Sequence, residues 1–443
     1  MSGQFPSPKL RAALLAYRLL WWLGLPLVLA YLWRRARRDA DYWRALGERF
    51  GRLPAFAPGA VWIHAVSLGE MRSAAPLVRA LLDRGERVVT THFTPAGRRS
   101  AHALFAPEIA AGRMRPVWVP FELGFAWRRF LRQLRPRYGL VMEIEIWPGM
   151  IMEARRAGVP LFMCNAQYPS RSFARDRARM PLRAELMRGF SGALVKSDVQ
   201  RERFESVGVA PVVVTGETRF DQPVPPEQLA AARPARVALA GERPVVTLAS
   251  VVAGEDALYL GAIAASLAAH DRAGRPRPLF VYVPRAPERF AEVGAMIAGA
   301  GLRSAPRSAI LDADLTLLRD PGEIDVLLGD SLGEMYFYIA LADRVLVGGG
   351  FTPAGAHNII EPLALGRPVI VGPEIWTIEY PAVEAIEAGV CRQLADAVAL
   401  RDVLAPGGAG DVPEAAIGAF LAEHGGATAR TLDAVEALLA TSR

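Results

Sequence analysis

The chain has 443 residues, enough for two or three domains that each bury a core, and its 52% hydrophobic content excludes a disordered polypeptide. Cys164 and Cys391 stand far apart without a CxxC or Cys/His cluster, which excludes a disulfide framework and a structural zinc site. The formal charge is +7 and the arginines gather at 34–38, 128–137 and 171–183. Such a surface suits an anionic partner such as a phospholipid or phosphorylated lipid. The arginines are not interleaved with aromatics, so nucleic acid is not the expected partner.

Residues 12–33 read AALLAYRLLWWLGLPLVLAYLW. The uninterrupted apolar part, Leu19 to Trp33, falls short of the roughly 20 residues that cross a bilayer. Extension back to Ala12 reaches that length if Arg18 snorkels toward an interface. Trp21, Trp22 and Trp33 are aromatics of the kind found at bilayer boundaries, and Arg34, Arg35, Arg37 and Arg38 follow at once. The segment reads as a membrane anchor, spanning or monotopic, whose basic flank stays on the cytoplasmic side. No small-residue cleavage site precedes the basic run, so a removed signal peptide does not fit.

Short apolar runs then alternate with amphipathic stretches. VWIHAV (61–66), RVVTTHF (87–93), RPVWVP (115–120), YGLVME (138–143), VPLFMCN (159–165) and GALVKS (192–197) predict buried strands, with helices such as Met71–Leu82 and Phe125–Leu134 between them. PVVTLAS (244–250), PLFVYVP (278–284), IDVLLGD (324–330), RVLVGGG (344–350) and RPVIVGP (367–373) form a second series. This alternation predicts an α/β architecture with two doubly wound Rossmann-like domains facing a cleft. The expected divisions are an anchor and basic flank at 1–38, an N-terminal Rossmann-like domain at 39–222, a Pro/Ala-rich linker at 223–236, a C-terminal Rossmann-like domain at 237–411 and terminal helices at 412–443.

The residues that carry chemistry cluster at predicted strand ends. Ser67 with Glu70 three positions later has the spacing of a capping box, and a catalytic role for Glu70 needs support beyond that spacing. Glu143 and Glu145 precede Trp147-Pro148; on a continuing strand they share a face and repel. Pro284-Arg285 follows a strand, where an arginine makes a phosphate clamp. Ser331 and Glu334 repeat the capping-box spacing at a helix start suited to phosphate. Gly348-Gly349-Gly350 leads to His357, Asn358 and Glu361, a turn that lets backbone approach a phosphate, with Glu361 placed to accept from ribose hydroxyls. It is not the dinucleotide fingerprint, and no P-loop, HExxH or GxSxG is present.

Together these blocks resemble the 3-deoxy-D-manno-octulosonic acid (Kdo) transferases of lipopolysaccharide assembly. His64–Glu70, Glu143–Pro148, Asn165-Ala166, Gly216–Asp221, Pro284-Arg285, Gly329–Glu334 and Gly348–Pro362 occur in that family's order. The resemblance implies a GT-B fold with an N-terminal membrane-anchor helix at the cytoplasmic face of the inner membrane. It implies CMP-Kdo as donor, a lipid A precursor (lipid IVA) as acceptor, inversion at the transferred sugar, and no metal or cofactor. By this likeness Glu70 is the general base, and Glu143 or Glu145, with Arg219 at the place of a family lysine, stabilises the transition state. Pro284, Arg285, Leu332, Gly333, Glu334, Asn358, Ile359, Ile360 and Glu361 bind CMP. Arg171 and Arg175, in a run that continues to Arg177 and Arg179, are expected to meet acceptor phosphates. The chain departs from the family at Glu217, Val251 and Ala286 and through Gln167–Ser170, mostly on the acceptor side. Alternative readings are a GT-B transferase using another nucleotide sugar on a lipid, a sugar-nucleotide epimerase, and a catalytically inactive membrane scaffold.

Overall fold

The computed structural model describes residues 5–408 and 412–441. Contacts group them into two compact units, residues 1–222 with 425–443 and residues 223–424. The boundary expected at 411/412 adjoins residues 409–411, which, like 442–443, lie outside the described set.

The first unit opens with α1 (Pro8–Ala36), capped by Ser7, whose hydroxyl accepts from the Leu10 N–H. At 1.5 Å per residue its 29 residues run roughly 43 Å. Leu10, Leu14 and Leu32 are buried, whereas Leu15, Leu19, Leu20, Trp22, Leu23 and Leu27 are exposed. The sheet consists of β1 (Val61–His64), β2 (Val88–His92), β3 (Met114–Trp118), β4 (Gly139–Met142), β5 (Leu161–Ala166), β6 (Gly192–Val195) and β7 (Val212–Val214). All pairings are parallel, in the order β3-β2-β1-β4-β5-β6-β7. Helices cover both faces, so strand residues alternate between two cores rather than between core and water. On β1, Trp62 packs with Trp127 and Phe130, while Val61 and Ile63 join Leu77 and Leu140 on the other face. Three helices matter for the site: α2 (Leu68–Asp83) after β1, α3 (Pro148–Arg156) after β4, and α4 (Ser170–Arg179) after β5.

The second unit begins with α5 (Pro226–Ala240), so the stretch read as linker is largely helix. Its sheet contains β8 (Val245–Val251), β9 (Leu279–Pro284), β10 (Ser304–Pro306), β11 (Val326–Leu328), β12 (Arg344–Val347), β13 (Val369–Val371) and β14 (Cys391–Gln393). The order is β10-β11-β9-β8-β12-β13-β14, again parallel throughout. The short helices α6 (Met335–Ala340) and α7 (Ile360–Ala364) follow β11 and β12. The chain then returns to the first unit as α8 (Ala427–Thr441), burying Leu432 and Val435 against the α2 side of its sheet.

Each sheet reverses its winding at one place, between β1 and β4 in the first unit and between β8 and β12 in the second. Ligands of doubly wound sheets bind beyond the strand ends at such switch points. The segments after β1, β4, β8 and β12 are therefore where chemistry is to be sought. They contain Glu70, Glu143 and the three glycines, while Ser250 lies near the end of β8 itself.

Candidate functional site

In the first unit, Ser67 caps α2 by accepting from the Glu70 N–H at 3.3 Å. The Glu70 carboxylate turns back, taking the Val66 N–H at 2.6 Å through Oε2 and the Ser67 hydroxyl at 3.2 Å through Oε1. The capping geometry is thus present. Burial, followed by the charges of Glu145 and Glu143, pushes the Glu70 carboxyl up to about 7. A carboxyl titrating there is half charged near neutrality, which is the condition for a proton acceptor at physiological pH.

Glu143 and Glu145 do not lie on one strand face. β4 ends at Met142 and Glu143 takes a left-handed conformation (φ 57°), which turns the two carboxylates apart. Glu145 accepts from the Trp147 indole N–H at 2.5 Å. Glu143 accepts from Asn165 Nδ2 at 3.1 Å and from Lys196 Nζ at 3.0 Å. The repulsion expected of the pair is therefore relieved by separate partners.

Lys196 was not singled out by any motif, yet it is the hub of this end of the sheet. It lies just past β6, its side chain 3% exposed, and reaches Glu143, Glu217 at 2.8 Å and Gln167 at 3.2 Å. Burial alone would raise the Glu217 carboxyl, but Lys196 and then Arg219 hold it below the usual range. Glu217 also takes Asn165 Nδ2 at 2.8 Å and the Arg219 N–H at 3.2 Å. Arg219 bonds the Ser73 hydroxyl of α2 at 2.6 Å and stands 3.8 Å from Glu143. The structure brings Glu143 and Arg219 together, as the motifs imply, and adds Lys196, Glu217 and Asn165 beneath them. The departure at Glu217 signalled this in the sequence, because a buried carboxylate needs a cation.

Arg171 and Arg175 lie exposed on α4. Arg175 also pairs with the buried Asp176 at 3.0 Å, which takes Arg183 and the Tyr168 hydroxyl as well. Part of that arginine's charge is spent on holding α4 in place.

In the second unit the glycine-rich turn differs from expectation. A Cβ on Gly348 would lie 2.6 Å from the Ser250 carbonyl oxygen, and one on Gly350 would lie 2.6 Å from the Gly372 nitrogen. These glycines admit the chain's own backbone. The N–H groups of Gly349 and Phe351 are already taken by the buried carboxylate of Glu255, at 2.8 and 3.0 Å. The place expected to cradle a phosphate is filled from within, because Glu255 supplies the same charge.

The capping box at Ser331 and Glu334 is not formed either. α6 starts at Met335, with Glu334 itself at the cap. The Glu334 carboxylate is gripped by Arg307 at 2.6 and 2.7 Å and takes the Ser331 hydroxyl. Gln228 takes the Phe337 N–H at 3.1 Å and gives to the Gly333 carbonyl at 2.9 Å. Leu332 and Gly333 are exposed beside this group. After β12, Asn358 accepts from the Ile360 N–H at 3.0 Å and so starts α7; Ile359 and Ile360 are buried and Glu361 is half-buried.

Pro284 is buried at the end of β9, and the exposed Arg285 donates from Nη1 to His357 Nδ1 at 3.1 Å. Burial, and then Arg285, pushes His357 down to about 4, so the ring is neutral. With Nδ1 accepting, the ring proton sits on Nε2, which has no partner among the described residues. Arg285 and His357 are therefore two donors at the end of one sheet, suited to an anion.

A family model described as 3-deoxy-D-manno-octulosonic-acid transferase (kdotransferase) matches residues 44–222. A 3-deoxy-D-manno-octulosonic acid transferase of Bordetella pertussis is 42% identical over 423 residues, 93% of this chain and 96% of the relative. One from Haemophilus influenzae is 30% identical over 366 residues, 81% of each chain. Among solved structures, a glycosyltransferase of Rickettsia africae superposes with a TM-score of 0.53 at 12% identity, covering 86% of this chain and 98% of that one. At that identity the likeness concerns the fold, which is GT-B.

Lys196→Met should cost about 3–5 kcal/mol in a denaturant titration, since it strands buried carboxylate. The double variant Lys196→Met/Glu217→Met should recover part of that loss. Equal destabilisation of the single and double variants would show that the ion pair is not what holds this end of the sheet.

Proposed function

The chain belongs to the Kdo transferase family, and from that premise we propose an inverting glycosyltransferase of lipopolysaccharide biosynthesis that moves Kdo from CMP-Kdo to a lipid A precursor, lipid IVA. The observation that carries the reading is kinship over nearly the whole chain with a named Kdo transferase, together with a carboxyl at Glu70 poised near neutrality.

In this reading CMP is held by the second unit at Pro284, Arg285, Leu332–Glu334 and Asn358–Glu361. The leaving phosphate meets Arg285 and the Nε2–H of His357. The start of α6 contributes less than its position suggests, because Glu334 occupies it. Glu70 takes the proton of the acceptor hydroxyl as that oxygen attacks the ketosidic carbon, and the bond to CMP breaks on the opposite face. Arg219 and Glu143, fixed by Lys196, stabilise charge in the transition state. Glu145 acts on Glu70 through its field. Arg171 and Arg175 attract acceptor phosphates.

The anchor helix supports a lipid acceptor. α1 docks along its length: Leu10 and Leu14 enter the core, Arg18 lies 3.8 Å from Glu153, Trp21 packs on Phe121, and Leu32 is buried. Its opposite face is an unbroken apolar surface. A helix fixed to a polar domain on one side and bare on the other suits monotopic insertion in one leaflet. Arg34, Arg35, Arg37 and Arg38 then face anionic headgroups at the cytoplasmic side of the inner membrane.

Incubation with CMP-Kdo and lipid IVA, followed by mass spectrometry of the lipid, is expected to show added Kdo; no mass gain would refute the reading. Glu70→Gln should keep CMP affinity and lose about 10²–10⁴-fold in transfer rate. A near-normal rate would remove Glu70 as the base. The base must be ionised, so kcat/KM for the acceptor should fall as pH drops through about 7. Glu145→Gln removes a charge that raises Glu70 and should move that limb to lower pH; an unmoved limb would assign it to another group. Leu19→Glu with Leu23→Glu should shift the protein from the membrane pellet to the supernatant, and retention in the pellet would place membrane attachment elsewhere.

A further inference from the structure

Between α1 and the strand-end segments of the first unit lies a cavity of about 540 Å³. That size falls within the roughly 300–1,000 Å³ of small-molecule sites. Val28 and Leu32 form one wall, and Phe93, Val119 and Trp147 the other, with Arg49 among them. Glu122 and two tyrosines also border it, but the Glu122 oxygens are taken by the Trp127 indole and the N–H groups of Gly149 and Met150, so apart from Arg49 the rest of the lining is mainly apolar or aromatic and suits hydrocarbon.

We propose that this cavity receives an acyl chain of the lipid acceptor, with Arg49 hydrogen-bonding an oxygen at the head of that chain; the proposal rests on the reading given under Proposed function. Two observations point to this occupant. First, Arg49 is 1% exposed, and its Nε and Nη1 have no hydrogen-bond partner among the described residues. Its guanidinium lies 4.4 Å from the Trp118 ring centroid and 5.6 Å from that of Phe93. Burial pulls it down to about 10. A buried cation with idle donors among aromatic rings calls for an acceptor oxygen, which a pure hydrocarbon lacks and the carbonyl at the head of an acyl chain supplies.

Second, the cavity and the carboxylate cluster share Trp147. Trp147 forms its wall and also donates to Glu145 at 2.5 Å. The Trp147 ring meets Phe93 at 5.9 Å and His64 at 5.7 Å, centroid to centroid. Glu145 in turn is the charged neighbour that most raises Glu70. A chain lodged here places its headgroup one tryptophan away from the base. A bilayer phospholipid could fill the same space, but its head carries no sugar hydroxyl for that base to use.

The test uses the full chain in mixed micelles, with CMP-Kdo and two acceptors of identical phosphorylated disaccharide head, one tetraacylated and one deacylated. Val28→Trp fills the cavity from α1. It should raise KM for the tetraacylated acceptor at least about tenfold, and leave turnover of the deacylated acceptor and KM for CMP-Kdo unchanged. An unchanged KM, or equal losses on both acceptors, overturns the proposal. Should the variant misfold, a wild-type experiment decides. A tetraacylated acceptor with a diazirine at a chain end should label peptides containing Val28, Val119 or Trp147, and unlabelled acceptor should suppress the labelling. Labelling of those peptides by a diazirine phospholipid that excess acceptor does not displace would assign the cavity to bilayer lipid. Absence of product from the wild-type protein refutes the functional reading itself, whereas product without discrimination by chain refutes the cavity alone.

Discussion

One ammonium group at the end of β6 governs the first sheet's working edge. A lysine has three N–H bonds, and Lys196 directs them at Glu143, Glu217 and Gln167 with almost no water nearby. Because its donors are used, Lys196 is a structural fixture. What it fixes is considerable. Glu143 is held in a left-handed turn beyond β4, and Glu217 is held where its oxygens can orient Asn165 and the backbone of Arg219. Arg219 is thereby aimed at Ser73 on α2, the helix that carries Glu70. The ends of four strands and one helix are registered to each other by a single buried charge. Such an arrangement favours a unique geometry at a desolvation cost that an apolar core would not incur.

Carboxylates also occupy the backbone donors of both units. Glu70 takes the N–H of Val66, Glu122 those of Gly149 and Met150 at the start of α3, and Glu255 those of Gly349 and Phe351. Oriented N–H groups attract anions whether the anion is a ligand or a side chain. By filling these places internally the fold leaves few positive positions at the strand ends. Arg285 with His357 stands out in the second unit and Arg49 in the first. Selectivity for where an anion settles thus arises as much from the donors that are blocked as from those left open.

The long strands were legible because parallel strands covered on both faces are nearly all apolar, and VWIH, VVTTH and LFVYVP read that way. Val212–Val214, Ser304–Pro306 and Cys391–Gln393 were not, since three-residue edge strands carry too little pattern. The ordered motifs located Glu70, Glu143, Arg219 and Arg285, each beside a strand end. What they could not convey is partnership across the fold. Lys196 lies 53 residues from Glu143, and Glu255 lies 94 from Gly349. Spacing gave Glu334 and the glycine turn a phosphate-facing role that tertiary neighbours overrule: Arg307 and Glu255 reach them from distant parts of the chain. Glu70 was readable both as a cap and as a base; in the structure its carboxylate caps, and burial raises it to about 7.

The return of α8 to the first unit bears on how the protein is made. Leu432 and Val435 complete a core whose other members come from Val61 to Leu194. During translation the first unit therefore emerges early but is left with an open hydrophobic face until the last helix leaves the ribosome. The second unit, encoded wholly within residues 223–424, has all its parts before that moment. Ordinarily the amino-terminal domain is finished first; here the order of completion is inverted. The unit that bears Glu70 closes only once all of the second unit has been made, so a chain stopped before α8 cannot present a finished first unit.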